Sequence, residues 1–289
     1  MDYGIVLPHF TAFASEDPAH RIVTAAETAE ALGYSTVWVA DHIVFPSKIE
    51  GGYAFNPDDP FLDPLIVLAA LSLKTTKVKL GTAVLILPYR HPLAAAKALA
   101  TIDVLSGGRT VVGVGAGWLE KEFDALGVSI KERGSRTDET IDIFKAAWTQ
   151  DVVNFSGRHF QIEEMKCLPQ PVQTPRPPVL IGGMTKGALR RVARRGDGWI
   201  AMGSSPKDLQ APLDTLRSLT EEAGRALEDL QICMLPLASP SLDQLLRDLP
   251  RYEELGVNHV YISFRAWTDD FSELMKLMER FARETGIAH

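Results

Sequence analysis

Two cysteines in 289 residues cannot build a disulfide framework, and Cys167 and Cys233 stand too far apart for a metal or redox spacing. A reducing cytoplasm is the expected compartment. No apolar run approaches the roughly 20 residues that a membrane-spanning helix needs. No basic segment followed by an apolar one opens the chain, so no signal peptide is expected. Positive charge is also short. The 30 Lys and Arg against 37 Asp and Glu leave a net charge of −7, which argues against general attraction to nucleic acid or anionic lipid. There is no G-x-S-x-G elbow and no Walker loop. No cluster of His, Cys and carboxylates has metal spacing, so no metal site is expected. What is plentiful is apolar surface, 46% of residues. The length suits a single α/β barrel domain over 1–289.

The stretch PPVLIGGMTKGALRRVARRGDGWIAMG (177–203) sets the pattern. Val179-Leu180-Ile181 reads as a buried strand. Gly182 and Gly183 break it, Thr185 is placed to cap a helix over 186–195, and Trp199 to Met202 reads as the next strand. This is one βαβ unit. Glycines before a helix let backbone approach a ligand, and the N–H groups of the first helical turn favour an anion. Gly182, Gly183, Met184 and Thr185 are therefore a candidate phosphate cradle. A plain strand-to-helix turn has the same sequence signature.

The alternation repeats along the chain. Short apolar strands are expected at 3–7, 36–40, 78–84, 110–114, 179–181, 199–202, 230–235 and 259–263. Helices are expected at about 18–32, 63–73, 91–105, 119–126, 135–150, 186–195, 206–223, 241–255 and 270–285. Two segments interrupt the rhythm. Residues 43–61 form a long Gly, Pro and aromatic loop. Residues 152–176 hold a hairpin candidate around Ser156-Gly157-Arg158 and a proline-rich return. Eight strand–helix alternations predict a parallel sheet closed into a (β/α)₈ barrel with insertions near 43–61 and 152–176. The run GVGAG at 113–117 invites a dinucleotide-binding reading, but its spacing is not G-x-G-x-x-G and no acidic strand end follows about twenty residues on.

In such barrels the chemistry sits at the C-terminal strand ends. Those ends carry His9 and Phe10, Asp41 and His42, Ala83 and Val84 with Tyr89, Arg90 and His91 beyond, then Gly115, Gly117 and Trp118, and finally the glycine pair. A rim of aromatic, imidazole and glycine groups suits a wide, flat, apolar cofactor with a phosphate tail. Gly115 and Gly117 would lie against it, and His9, Phe10, Tyr89 and Trp118 would line the substrate pocket. Asp41-His42 is the acid–base candidate, since a carboxylate can hold an imidazole in one tautomer. An Asp helix cap beside a satisfied histidine is the plainer alternative. His91 precedes Pro92 at a helix start, where a structural role fits better. Arg190, Arg191, Arg194 and Arg195 could receive an anionic tail or simply complement the helix dipole.

VWVADH (37–42), LGTAVLILPYRHP (80–92), LSGGR (105–109), GVGAGWLEKEFDALG (113–127), FSGRHF…LPQPVQTPRPPVLIGG (155–183) and RRGDGW (194–199) occur in one order along most of the chain. In them the sequence resembles the bacterial luciferase-like monooxygenase superfamily, and within it the oxidoreductases that use the deazaflavin coenzyme F420. The resemblance implies an eight-stranded barrel with insertions. It implies His42, beside Asp41, as the active-site histidine, and a non-prolyl cis peptide at Ala83–Val84 behind the flavin ring. It implies cofactor phosphate on the amides of Gly182, Gly183 and Met184, and loop 43–61 as a lid that excludes water. F420-dependent hydride transfer to or from a small organic substrate is the implied activity, a homodimer the implied assembly, and a flavin or F420 reductase the candidate partner. Two alternatives share the fold: an FMN-dependent monooxygenase fed by a separate flavin reductase, and a non-catalytic flavin-binding barrel. The sugar-phosphate dehydrogenases of the family carry a glutamate where this chain has Trp118, which points to an apolar substrate.

Overall fold

A computed structural model describes residues 1–48, 56–203 and 205–288. The elements follow the expected alternation: β1 (Asp2–Val6), α1 (Pro18–Ala31), β2 (Thr36–Val39), α2 (Pro64–Ser72), β3 (Lys79–Thr82), β4 (Leu85–Ile86), α3 (Pro92–Ser106), β5 (Thr110–Gly115), α4 (Glu120–Ala125) and α5 (Arg133–Thr149). After a hairpin, β6 (Val153–Ser156) and β7 (Gln161–Met165), come β8 (Val179–Gly182), α6 (Lys186–Arg195), β9 (Gly198–Met202), α7 (Pro206–Glu222), β10 (Gln231–Leu235), α8 (Leu242–Glu254), β11 (His259–Ile262) and α9 (Phe271–Thr285). Local chemistry sets the helix starts. Asp63 accepts from the N–H of Leu65 and Ile66 with Pro64 at the first helical position, and Thr185, Ser241 and Asp270 cap α6, α8 and α9 the same way.

The main sheet runs β3-β2-β1-β11-β10-β9-β8-β5, and β3 pairs with β5 to close it. Every ladder in this ring is parallel, so all C-terminal strand ends lie at one mouth. One apolar layer fills the space between strands and helices. A second fills the barrel interior: Trp38, Val111, Leu180, Ile200, Cys233, Leu235 and Tyr261. There the Trp38 indole N–H donates to His259 Nε2 at 3.1 Å. Burial lowers the His259 pKa to about 3, so this imidazole is a neutral acceptor.

Two connections depart from the expected pattern. The third strand does not run unbroken through Val84. β3 ends where Thr82 faces Val39, and the chain then shifts partner, so that Leu85 and Ile86 pair with Val114 and Gly115 as the separate β4. The Ala83–Val84 peptide at this shift is cis, as the resemblance implied. The hairpin is as expected, and it is fastened to α5: Glu139 accepts from the N–H of Arg158, His159 and Phe160 at 2.8–3.2 Å. The proline-rich return is held by buried Asp103, which accepts from the N–H of Val172 and Gln173 and from the Gln173 amide. Arg109, from the LSGGR run, donates to the carbonyls of Ser72, Thr75, Val78 and Ser106 and so ties the end of α2 to the start of β5.

Candidate active site

His42 sits just past β2 and is buried. Its Nδ1 lies 2.7 Å from Glu122 Oε2. The same carboxylate accepts from the Ile43 N–H at 2.7 Å and the Val44 N–H at 3.2 Å through Oε1, and from the Tyr89 hydroxyl at 2.9 Å through Oε2. Burial works against charge on Glu122, but the bonds from His42, Ile43 and Tyr89 hold its carboxyl below the ordinary range. An ionised carboxylate can only accept, so His42 carries its proton on Nδ1. Burial, with Glu122 beside it, pushes the Tyr89 phenol well above its ordinary value, which keeps it a donor.

The carboxylate that orients His42 is therefore Glu122 and not Asp41, which corrects the expectation from adjacency. Asp41 turns toward the next strand connection. It accepts from the Ile86 N–H at 2.9 Å and from both terminal nitrogens of Arg90, at 2.5 and 2.9 Å. Arg90 also reaches Asp63 at 2.9 Å. Burial opposes its charge, yet Asp41 and Asp63 hold the Arg90 pKa above its usual value. The two residues follow the end of β2 and take partners from different connections, His42 from α4 and Asp41 from the segment 86–90, and this separates the two side chains.

Glu122 lies in α4, where Leu119, Glu122, Phe123 and Leu126 have helical i, i+3, i+4, i+7 spacing. A carboxylate on an apolar stripe was the signal for it, because a fully buried Glu is rare unless paired. Two residues expected in the substrate pocket have other work. His9 is fully buried, with Nδ1 at 2.9 Å from the Leu7 carbonyl and Nε2 accepting from the Ala40 N–H at 2.9 Å. Burial lowers its pKa to about 4, so it is a neutral brace between β1 and β2. Tyr89 directs its hydroxyl to Glu122 and its ring edge to Phe123, with centroids 4.9 Å apart.

Phe10 and Trp118 do surround the candidate histidine. The Trp118 ring stands 5.7 Å from that of His42, Phe61 stands 5.5 Å from it, and Phe10 stacks on Phe61 at 5.1 Å. Phe45, early in loop 43–61, packs on His42 at 4.7 Å. The far end of that loop is pinned to the exit of β1 by a Phe10–Phe61 bridge. Residues 49–55, the centre of the expected lid, lie outside the described residues. Large apolar side chains remain 41–53% exposed at this mouth: Ile43 and Val44 after β2, Trp118 after β5, Met202 ending β9 and Leu237 after β10. An apolar rim of this kind is a candidate binding surface.

The glycines expected to contact a cofactor have internal reasons of their own. Val84 projects its methyls to where side chains on Gly115 and Gly182 would stand; an added Cβ would meet them at 2.5 and 2.8 Å. Gly183 has φ +120°, and an added Cβ would meet Ala188 Cβ at 2.9 Å. Its N–H donates to the Ile200 carbonyl at 3.3 Å, and its carbonyl accepts from the Trp199 indole. Met184 packs against the outer core. Thr185 Oγ1 accepts from the Ala188 N–H at 3.2 Å, leaving the N–H groups of Lys186 and Gly187 in a first helical turn that offers them no acceptor. Of the basic cluster on α6, Arg191 pairs with Asp138 and Arg195 with Asp142, so both fasten α6 to α5. His91 caps α3 by accepting from the Leu93 N–H. Among the described residues no group of His, Cys and carboxylates could hold a metal ion, and no helix is long and apolar enough to cross a membrane.

The sequence profile of the luciferase-like monooxygenases matches residues 1–244. The chain belongs to this family of flavin- and F420-dependent oxidoreductases and monooxygenases, whose substrates are small molecules. It is 36% identical to the Mycobacterium tuberculosis protein Rv0953c over 272 residues, 90% of each chain. It is 33% identical over 223 residues to an F420-dependent glucose-6-phosphate dehydrogenase of Amycolatopsis mediterranei, covering 76% of this chain and 63% of that one. It is 35% identical over 162 residues to an FMNH₂-dependent dimethylsulfone monooxygenase of Pseudomonas putida, covering 55% of this chain and 44% of that one.

Proposed function

We propose that this enzyme uses F420 to move a hydride to or from a small, largely apolar organic substrate, with His42 exchanging a proton with it. The observation that carries this reading is a histidine held by a buried carboxylate inside an apolar, aromatic barrel mouth. F420, when bound, supplies the hydride chemistry of its deazaflavin ring. The residues present suit such a group. The apolar rim, with the small Ala83 at the mouth, favours a flat ring. The Gly182–Thr185 turn and the start of α6 favour a phosphate. Lys186 is exposed there, and at Gly187 even an added Cβ would meet nothing nearer than Thr185 Oγ1 at 3.9 Å. Within this site His42 gives or takes the proton, Glu122 orients it, and Trp118, Phe10 and Phe61 present an apolar wall to the substrate.

F420 is favoured by the length of the match to the dehydrogenase, 76% of this chain against 55% for the monooxygenase. The second reading, an FMN-dependent monooxygenase that takes reduced flavin from a partner reductase and uses oxygen, is supported by the monooxygenase relative. A non-catalytic flavin barrel gives no reason for a buried carboxylate that holds an imidazole at the mouth. Titrating the protein with F420 and with FMN, read by fluorescence quenching, tests these readings. Tight F420 and weak FMN binding is expected. Gly183→Val should abolish it in protein shown to remain folded, and His42→Ala should leave it intact. FMN binding alone would favour the monooxygenase, and binding of neither would overturn both.

A further inference from the structure

We infer that Glu122 is a positioning residue that fixes His42 as the Nδ1–H tautomer, so that the proton exchanged with substrate passes through Nε2. This rests on the reading of His42 as the proton-exchanging group. The geometry supplies the argument. Glu122 is fully buried and receives four donors, two on each oxygen: the backbone N–H groups of Ile43 and Val44 on Oε1, and His42 Nδ1 and the Tyr89 hydroxyl on Oε2. A buried carboxylate this fully engaged is not free to turn, and it cannot donate. An imidazole facing it has no choice of tautomer. The same carboxylate holds the first two residues after His42, so the histidine and the root of loop 43–61 are set by one group.

The arrangement predicts an uncommon outcome for Glu122→Gln. Gln presents one oxygen and one NH₂. Backbone N–H groups cannot stop being donors, so the oxygen must face Ile43 and Val44. The NH₂ then faces His42 and Tyr89. The Tyr89 hydroxyl can rotate to accept, and the imidazole can accept only by moving its proton to Nε2. The near-isosteric change should therefore flip the tautomer while the fold stays intact.

The test is ¹⁵N NMR of histidine-labelled protein near pH 9, where ordinary imidazoles are neutral. The His42 signals are assigned by their loss in His42→Asn. Wild-type His42 should show protonated Nδ1 and unprotonated Nε2, and Glu122→Gln should show the reverse. Tyr89→Phe, which removes a donor but leaves the carboxylate, should keep the wild-type pattern. An Nε2–H tautomer in the wild type, a folded Glu122→Gln protein that keeps Nδ1–H, or a flip in Tyr89→Phe would each overturn the inference. With a turnover assay, Glu122→Gln should slow the proton-transfer step by about 10²–10⁴-fold, with cofactor affinity unchanged. The NMR result needs no cofactor. If neither F420 nor FMN binds while the tautomers behave as stated, the proposed function fails and the positioning role of Glu122 stands.

Discussion

Acidification should weaken this barrel before most of its carboxylates protonate, and His9 and His259 are the reason. Both are buried, and their pKa values are lowered by desolvation from an ordinary 6.5 to about 4 and about 3. Their folded values lie below the unfolded one. Their contribution is therefore complete above pH 6.5 and is lost as pH falls toward 4 and 3, because the unfolded chain takes up protons first. Each pH unit in that window costs about 1.4 kcal/mol per histidine. By pH 5 the pair should remove about 4 kcal/mol, a large share of the roughly 5–15 kcal/mol a folded protein has in hand. Glu122 is shifted in the same direction, below an ordinary 4.5, so its loss is added only beneath that value. Equilibrium urea unfolding followed by tryptophan fluorescence at pH 7.5 and 5.0 measures the effect. At a slope of about 3 kcal/mol per M the midpoint should fall by more than about 1 M. In a His9→Gln, His259→Gln protein, which is less stable at the outset, most of that pH dependence should vanish. An unchanged midpoint in the parent, or an equal fall in the double variant, would refute the reasoning.

Two further outcomes follow from named contacts. Arg90→Ala leaves Asp41, whose side chain has no solvent exposure, with the Ile86 N–H as its remaining support. Stability should fall by about 3–5 kcal/mol, read by the same urea titration, and a fall under about 1 kcal/mol would show that Asp41 finds other support. Glu139→Ala should speed amide hydrogen exchange at Arg158, His159 and Phe160 while cofactor binding stays the same. Lost cofactor binding in that folded variant would mean the hairpin serves the site directly.

The barrel was legible because each strand is a short apolar run and each helix carries its own start and stop residues, such as Asp63-Pro64 and Thr185 before α6. The break between β3 and β4 was not, since LGTAVLI is apolar apart from Thr82 and nothing local shows that its second half pairs with a different strand. That His42 would stand beside a carboxylate at the mouth was legible from its place at a strand end. Its partner was misread because adjacency in sequence suggested Asp41. The two side chains take partners from different connections, and the orienting carboxylate comes from position 122. His9 was misplaced for a related reason. A histidine at a strand end suggests chemistry, but only the fold shows two backbone groups waiting for its two nitrogens.

Val84 links places that the chain keeps far apart. Its two methyls occupy the volumes that side chains at 115 and 182 would need, so three strand ends around the mouth share one filled space. For natural drift and for engineering alike, these positions form a single unit of variation. A side chain can be gained at either glycine only if a methyl is given up at 84. Reshaping this part of the mouth therefore begins at Val84, and a library that varies 115 or 182 alone would consist mostly of sequences with no room to fold.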